Sequence, residues 1–346
     1  MQARHILPLT GIRAFAATWV VLDHFHPWLV MLCPIASVLD RFVKLGYEAV
    51  PLFFLLSGFI LSYNYFPSYS IAKHPKFLFL RFARLWPVHF TVLILLFLGI
   101  GFPFNMFDDV KAISEDLLMV RSWVNDGTAW NPPAWSISAE WFAYICIFPF
   151  AWLLFSRINR WQTVAAIVAL FLVAHGSPLN VFLFPHGLCG TIFFLFFAGS
   201  GLYRIRCLVA NPPAEIVVIC GLVLMLAYIV FSQILPALML YTAFALLIFG
   251  LSYERGFLAR FLSTRMMVYG GLISYSLYMT HYLVLRAFIF YSWQHWKQLP
   301  HMPLISGLVL VLAACAFIGL AMVSYHYVEY PANRKLRRLL DKPAKV

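Results

Sequence analysis

Charge is what this chain has least of. Only 11% of its 346 residues are charged, and acid is the scarcer sign, with 13 Asp and Glu against 25 Lys and Arg. Soluble domains average about a quarter charged residues, so a pair of ordinary water-soluble domains is excluded. Cysteine is thinly spread as well. Cys33, Cys146, Cys189, Cys207, Cys220 and Cys315 form no close pair and no metal-ligand spacing with histidine, which argues against a disulfide framework or a metal site. They read as small apolar residues. Internal repeats, low-complexity segments and an appended soluble domain are all missing. So is the apolar–polar alternation of an outer-membrane barrel.

Apolar sequence fills the space. The chain is 63% hydrophobic with a mean hydropathy of +0.84, and its apolar runs last roughly 17 to 25 residues, the length a helix needs to cross the hydrocarbon layer. The expected fold class is therefore all-α: a polytopic integral membrane helical bundle forming one domain over residues 1–346. Ten spans fit, at Leu9–Met31, Val50–Phe66, Pro87–Phe107, Ala134–Phe155, Trp161–His175, Val181–Tyr203, Ala214–Phe231, Pro236–Ser252, Tyr269–Tyr291 and Met302–Tyr327. The first is longer than a signal-peptide core and lacks a small-residue cleavage site, so it should be retained.

Loop charge orients the bundle. With the N-terminus in the cytoplasm, 18 of the 25 Lys and Arg face inward, and only Arg41, Lys44, Lys111, Arg121 and Lys297 face outward. That asymmetry places both termini in the cytoplasm and makes residues 328–346 a short basic cytoplasmic tail. It also accounts for the net charge of +12 without a nucleic-acid partner, for which no module is visible. The longest outer loop, Asp108–Pro133, holds Trp123 and Trp130 and is expected to cover an outward-facing cavity.

Two ionisable residues, Arg13 and His24, interrupt the first apolar run, and charge at membrane depth is costly enough to imply function. Eleven helical positions advance about 16 Å and return to within roughly 20° of the starting azimuth, so both side chains lie on one stripe without touching. Two separate tasks along one path follow, Arg13 near the cytoplasmic end and His24 toward the outer end. Glu140 falls near the outer end of the fourth span.

Six short blocks, in order, carry a family resemblance. They are Leu9–Ala16 followed by Val20–Phe25; Val50–Phe59; Arg81-Phe82-Ala83-Arg84-Leu85-Trp86-Pro87; Trp135-Ser136-Ile137-Ser138-Ala139-Glu140; Ile273-Ser274-Tyr275-Ser276-Leu277-Tyr278-Met279-Thr280-His281; and Val328-Glu329-Tyr330-Pro331-Ala332. Together they resemble the membrane-bound acyltransferase-3 family, the O-acetyltransferases of cell-envelope polysaccharides. One departure is Trp141-Phe142, where relatives commonly place a second acidic residue after the position of Glu140. The extra outer domain of some relatives is also lacking.

The resemblance implies an acetyltransferase of the bacterial cytoplasmic (inner) membrane. Its acyl donor would be cytoplasmic acetyl-CoA, and its acceptor a hydroxyl of an envelope carbohydrate such as lipopolysaccharide O-antigen, exopolysaccharide or a lipid-linked sugar. Membrane lipid is the other expected partner. His24 is the expected general base, since imidazole titrates near neutral pH, with Glu140 a second catalytic candidate. Asp23 is adjacent to His24 on the helix and points about 100° away, so a partner from another helix is expected.

Arg13, Arg81 and Arg84 are expected to hold the donor's phosphates, because guanidinium groups bind phosphate bidentately. Trp135, Ser136, Tyr278, His281 and Arg286 are expected either to touch the acceptor or to support the residues that do. Ser136 shares a face with Glu140 but has no local base, which argues against a nucleophilic serine. A covalent acetyl-His24 intermediate is the mechanistic variant. The rival function is a transporter or flippase of a lipid-linked sugar, against which stands the missing inverted repeat.

Overall fold

The computed structural model describes residues 5–99, 106–124, 130–176, 188–295 and 303–340, and among them every regular element is helical. In chain order these are α1 (Leu7–Leu32), α2 (Ala49–Tyr65), α3 (His74–Gly99), α4 (Met106–Leu117), α5 (Trp135–Phe142), α6 (Phe148–Phe155), α7 (Arg160–Gly176), α8 (Leu188–Leu208), α9 (Ala214–Phe231), α10 (Ala237–Leu251), α11 (Arg265–His295), α12 (Pro303–Ser324) and α13 (Tyr330–Leu340), with short helical turns between some of them. The expected start of the sixth span at Val181 and the last six tail residues lie outside the described residues.

Six helical segments among the described residues are long and apolar enough to cross a membrane: Pro34–Ser68, Ile71–Leu98, Pro132–Phe155, Gly190–Leu208, Ala214–Phe231 and Leu304–Leu340. The outward faces are apolar too. On α9, Ile216, Ile219, Val223, Leu226 and Val230 are exposed along one stripe, while Val218, Gly221 and Tyr228 are buried. Water would penalise that arrangement and lipid does not.

One expectation needs correction. The third span was placed at Pro87–Phe107, but the helix begins at His74 and its apolar segment runs Ile71–Leu98. Pro87 lies inside the helix instead of opening it. It forfeits only the hydrogen bond to the Ala83 carbonyl, which the flanking Phe and Leu turns outweigh. Arg81 and Arg84 therefore sit well inside a helix. The stretch expected as the longest outer loop, Asp108–Pro133, begins within α4, whose Asp, Glu and Lys residues alternate with apolar ones at helical spacing.

The chain divides into two compact units, each assembled from three stretches: Met1–Ala16, Glu48–His74 and Ala139–Leu272 in the first; Ala17–Tyr47, Pro75–Ser138 and Ile273–Val346 in the second. In the first, α2 and α8 approach so closely that backbone meets backbone. A Cβ on Gly58 would lie 1.9 Å from the Phe196 carbonyl oxygen, and one on Gly199 would lie 2.0 Å from that of Leu55. Small residues permit this because tail-like lipid supplies no hydrophobic drive and close packing must take its place. Gly11 and Gly271 make the same kind of contact with Leu262 and Thr10.

In the second unit, polar side chains cap backbone carbonyls across helices. Trp19 Nε1 donates to Phe42 O at 2.7 Å, and the Tyr275 hydroxyl donates to Leu85 O at 2.5 Å. Ser276 donates to buried Glu329 at 2.7 Å, in a π-helical turn (Tyr325–Glu329) that joins α12 to α13. Phe25 packs its ring against the edges of Phe288 and Phe317.

The glycine contacts generate a test. Gly199→Ala drives a methyl into backbone that cannot rotate away, and is expected to destabilise the protein by about 1–3 kcal/mol. Gly319→Ala, where a Cβ meets nothing within 4 Å, should leave stability unchanged. The apparent Tm of each variant in detergent, at one scan rate, distinguishes them.

Candidate active site

The second unit gathers four of the residues singled out in the sequence. His24 lies on α1, half-buried, with Nδ1 3.0 Å from the Val20 carbonyl one turn back. A carbonyl oxygen can only accept, so Nδ1 carries a proton, and in the neutral ring Nε2 is the nitrogen that holds the lone pair. His281 on α11 is fully buried, and its Nδ1 donates to Tyr278 O at 2.6 Å. The same logic leaves its Nε2 an acceptor. The two imidazole centroids are 5.1 Å apart, with planes inclined at 56°.

Tyr278 continues the cluster. Its ring is 5.8 Å from that of His281, and its hydroxyl lies 2.8 Å from Ser136 Oγ. Both hydroxyls also reach the Pro133 carbonyl, Tyr278 at 3.1 Å and Ser136 at 3.0 Å. Two hydroxyl protons thus serve three oxygens. Ser136 is a held hydrogen-bond partner without a base beside it, which fits the sequence argument against a serine nucleophile. It stands at the start of α5 because the Pro132–Ala134 turn before it sets the chain into helix.

Glu140 is built into the first unit. Its Oε1 accepts hydrogen bonds from Ser57 Oγ at 3.0 Å and from the Tyr144 hydroxyl, one turn further along. A π-helical turn, Ala143–Ile147, follows directly and separates α5 from α6. Such turns are rare and concentrate at functional places.

The family model described as an acyltransferase domain matches residues 7–320. This chain belongs to the acyltransferase-3 family. It is also 29% identical over 315 residues to the acyltransferase MdmB of Streptomyces mycarofaciens, covering 80% of this chain and 78% of that protein. No solved structure matches. The acyltransferase-3 match reaches from the first turn of α1 well into α12, so it includes the helices that carry His24, Glu140 and His281. Together with the apolar helices, it makes the chain an integral membrane protein of an acyl-transferring family.

The remaining expected residues are placed as follows. Arg13 is half-buried on α1, eleven positions before His24 on the same helix. On α3, Arg81 is buried with its guanidinium 5.8 Å from the Phe77 ring, and Arg84 is half-buried. Trp135 is half-buried at the head of α5. Arg286 sits over the Tyr282 ring at 5.6 Å, a contact within its own helix.

Three features of this acyltransferase-3 protein were invisible in the sequence. Asn131 is completely buried, donates from Nδ2 to Met279 O at 3.1 Å and leaves Oδ1 without a hydrogen-bond partner, next to the turn that carries His281. Ser57 lies in the second resemblance block, yet nothing local ties it to Glu140. His89 is 1% exposed and donates from Nε2 to Asp116 O at 2.7 Å.

Asp116 anchors the chain that leads to Asn131. It accepts from Trp130 N at 3.1 Å and faces Arg121 at 3.8 Å. Burial nevertheless dominates and pushes its carboxyl up to about 6, with the Trp130 hydrogen bond and Arg121 opposing. A folded-state value above the unfolded one means that stability is greatest where the proton stays bound. It should fall as pH rises from about 4 to about 6 and level off above. Asp116→Asn, which mimics the protonated form and can still accept from Trp130, should flatten that slope when apparent Tm is recorded from pH 4 to 7.

Proposed function

We propose that the protein transfers an acetyl group from cytoplasmic acetyl-CoA to a hydroxyl of a cell-envelope glycan, O-antigen, exopolysaccharide or lipid-linked sugar, in the bacterial cytoplasmic membrane. On this reading the bundle has ten spans with both termini in the cytoplasm. The observation that carries the chemistry is His24: its Nδ1 is committed to Val20, so a half-buried Nε2 lone pair is the one left to act.

The steps follow from that tautomer. His24 Nε2 takes the proton of the acceptor hydroxyl as its oxygen attacks the thioester carbonyl. The C–S bond then breaks, and the departing CoA thiolate recovers the proton from His24. Arg13, Arg81 and Arg84 bind the donor's phosphates, which must be neutralised wherever they meet apolar surroundings. The continuous helix from Leu7 to Leu32 supports a rise of about 16 Å between Arg13 and His24, the scale of an extended pantetheine arm. Trp135, Ser136, Tyr278, His281 and Arg286 shape the acceptor side. Glu140, with its two hydroxyl donors, is the second catalytic candidate.

Purified full-length protein in lipid nanodiscs, given acetyl-CoA and extracted envelope glycans, should release CoA and yield acetylated glycan. His24→Ala should lower turnover by about 10²–10⁴-fold with folding intact, the usual yield of a general base. Arg81→Ala should chiefly raise the donor KM. Movement of a lipid-linked sugar without any acyl transfer would overturn the reading.

A further inference from the structure

Helix α13 carries a charge pattern that the proposed chemistry does not use. Tyr330–Leu340 reads Tyr-Pro-Ala-Asn-Arg-Lys-Leu-Arg-Arg-Leu-Leu, four cations with no acid among them. A helix that faces water on one side usually mixes signs and pairs them three or four positions apart. Within α13 no such pair can form. Arg337 donates from Nε to Asn333 Oδ1 at 2.7 Å, and Arg334, Lys335 and Arg338 are exposed.

At about 100° per residue, the exposed positions run round one side of the helix in the order Tyr330, Arg334, Arg338, Pro331, Lys335, Leu339, an arc of about 180°. Three cations thus lie between two apolar edges. Tyr330 is 52% exposed and Leu339 55%. Ala332, Leu336 and Leu340 occupy the opposite side and are half-buried. Buried Glu329, which accepts from Ser276 Oγ at 2.7 Å, anchors the π-helical turn from which α13 sets out.

The order of residues along the chain says what this exposed side meets. α12, the π-helical turn and α13 form one helical segment, Leu304–Leu340. Its exposed residues are first aliphatic, with Leu308, Val311, Leu312, Ile318 and Val323; then tyrosine, with Tyr327 at 78% and Tyr330; then cationic. That is the order of depth in a bilayer, from acyl chains through the aromatic belt to the phosphates. Helical side chains lean toward the N-terminus, here back toward the apolar segment, so the long stems of Arg334, Lys335 and Arg338 return their charges toward the headgroups. A soluble phosphate compound would account for the cations but leave Tyr327, Tyr330 and Leu339 standing in water. A lipid without net charge would account for the tyrosines but not for the cations.

We propose that α13 is a docking face for anionic phospholipid: Arg334, Lys335 and Arg338 bind headgroup phosphates of the leaflet at the C-terminal end of α12, the cytoplasmic one on the topology proposed above, with Tyr330 and Leu339 seated at the edge of the acyl region. Acyl transfer plays no part in this binding.

The test is amide hydrogen exchange of residues 330–340 in the full-length protein, in nanodiscs of phosphatidylcholine alone or mixed with phosphatidylglycerol. Each basic residue near an anionic surface is worth about fivefold, so phosphatidylglycerol should slow exchange across α13 by about 10- to 100-fold in the native protein. The slowing should vanish when Arg334→Gln, Lys335→Gln and Arg338→Gln are combined. It should vanish equally for the native protein in about 1 M NaCl, where the screening length falls to about 3 Å. The salt arm needs no variant, so it decides the matter even if the triple variant folds poorly. Equal exchange in the two kinds of nanodisc, or slowing that survives salt, overturns the proposal. So does equal slowing on adding free CoA to phosphatidylcholine nanodiscs, which would make these cations a site for a soluble phosphate compound.

Discussion

In a chain so poor in charge, every polar group taken into the helical bundle has to find its partner on the chain itself. The hydrocarbon offers no water to satisfy a stranded donor, and each such group costs several kcal/mol. The helices satisfy their own backbones, but side chains and helix breaks do not follow automatically. The structure answers with hydrogen bonds from side chains to carbonyls: Trp19 to Phe42, Tyr275 to Leu85, Asn131 to Met279, His89 to Asp116. These contacts set helix against helix at specific heights.

The same scarcity explains how Glu140 is tolerated. A carboxylate does not need a cation if hydroxyls surround it, and Ser57 and Tyr144 both donate to one of its oxygens. The pairing with Ser57, 83 positions away in sequence, depends on α2 packing beside the helix that carries Glu140. That packing in turn depends on the glycines of α2 and α8, because a methyl at either would hold the backbones apart.

What the sequence revealed and what it hid divide along this line. Apolar run length locates helices well: Ala214–Phe231 emerges with the ends expected, because its periodicity has no competitor. Pro87 misled, since proline usually opens or ends a helix, and nothing local says when surrounding packing will carry it inside one. The Arg13 and His24 stripe, the paired arginines and the Glu140 block were readable because charge in apolar sequence stands out. The His24 and His281 contact was not readable. It joins residues more than 250 positions apart, and no period or spacing encodes which face of α11 meets which face of α1. The sequence argument turned from Asp23 to a group on another helix. The group found beside His24 is a second imidazole, His281 on α11, with ring centroids 5.1 Å apart.

The partners of a base bear on what kind of catalyst a site can be. An anionic partner deepens the well for the proton on the base and helps the first half of the reaction, when the hydroxyl is being deprotonated. It hinders the second half, when the same proton must leave with the thiolate. In water the difference is small, but inside an apolar bundle it is magnified by the low dielectric. A group-transfer enzyme whose base must both take and return a proton in one turnover is better served by a partner that can accept a hydrogen bond without carrying charge.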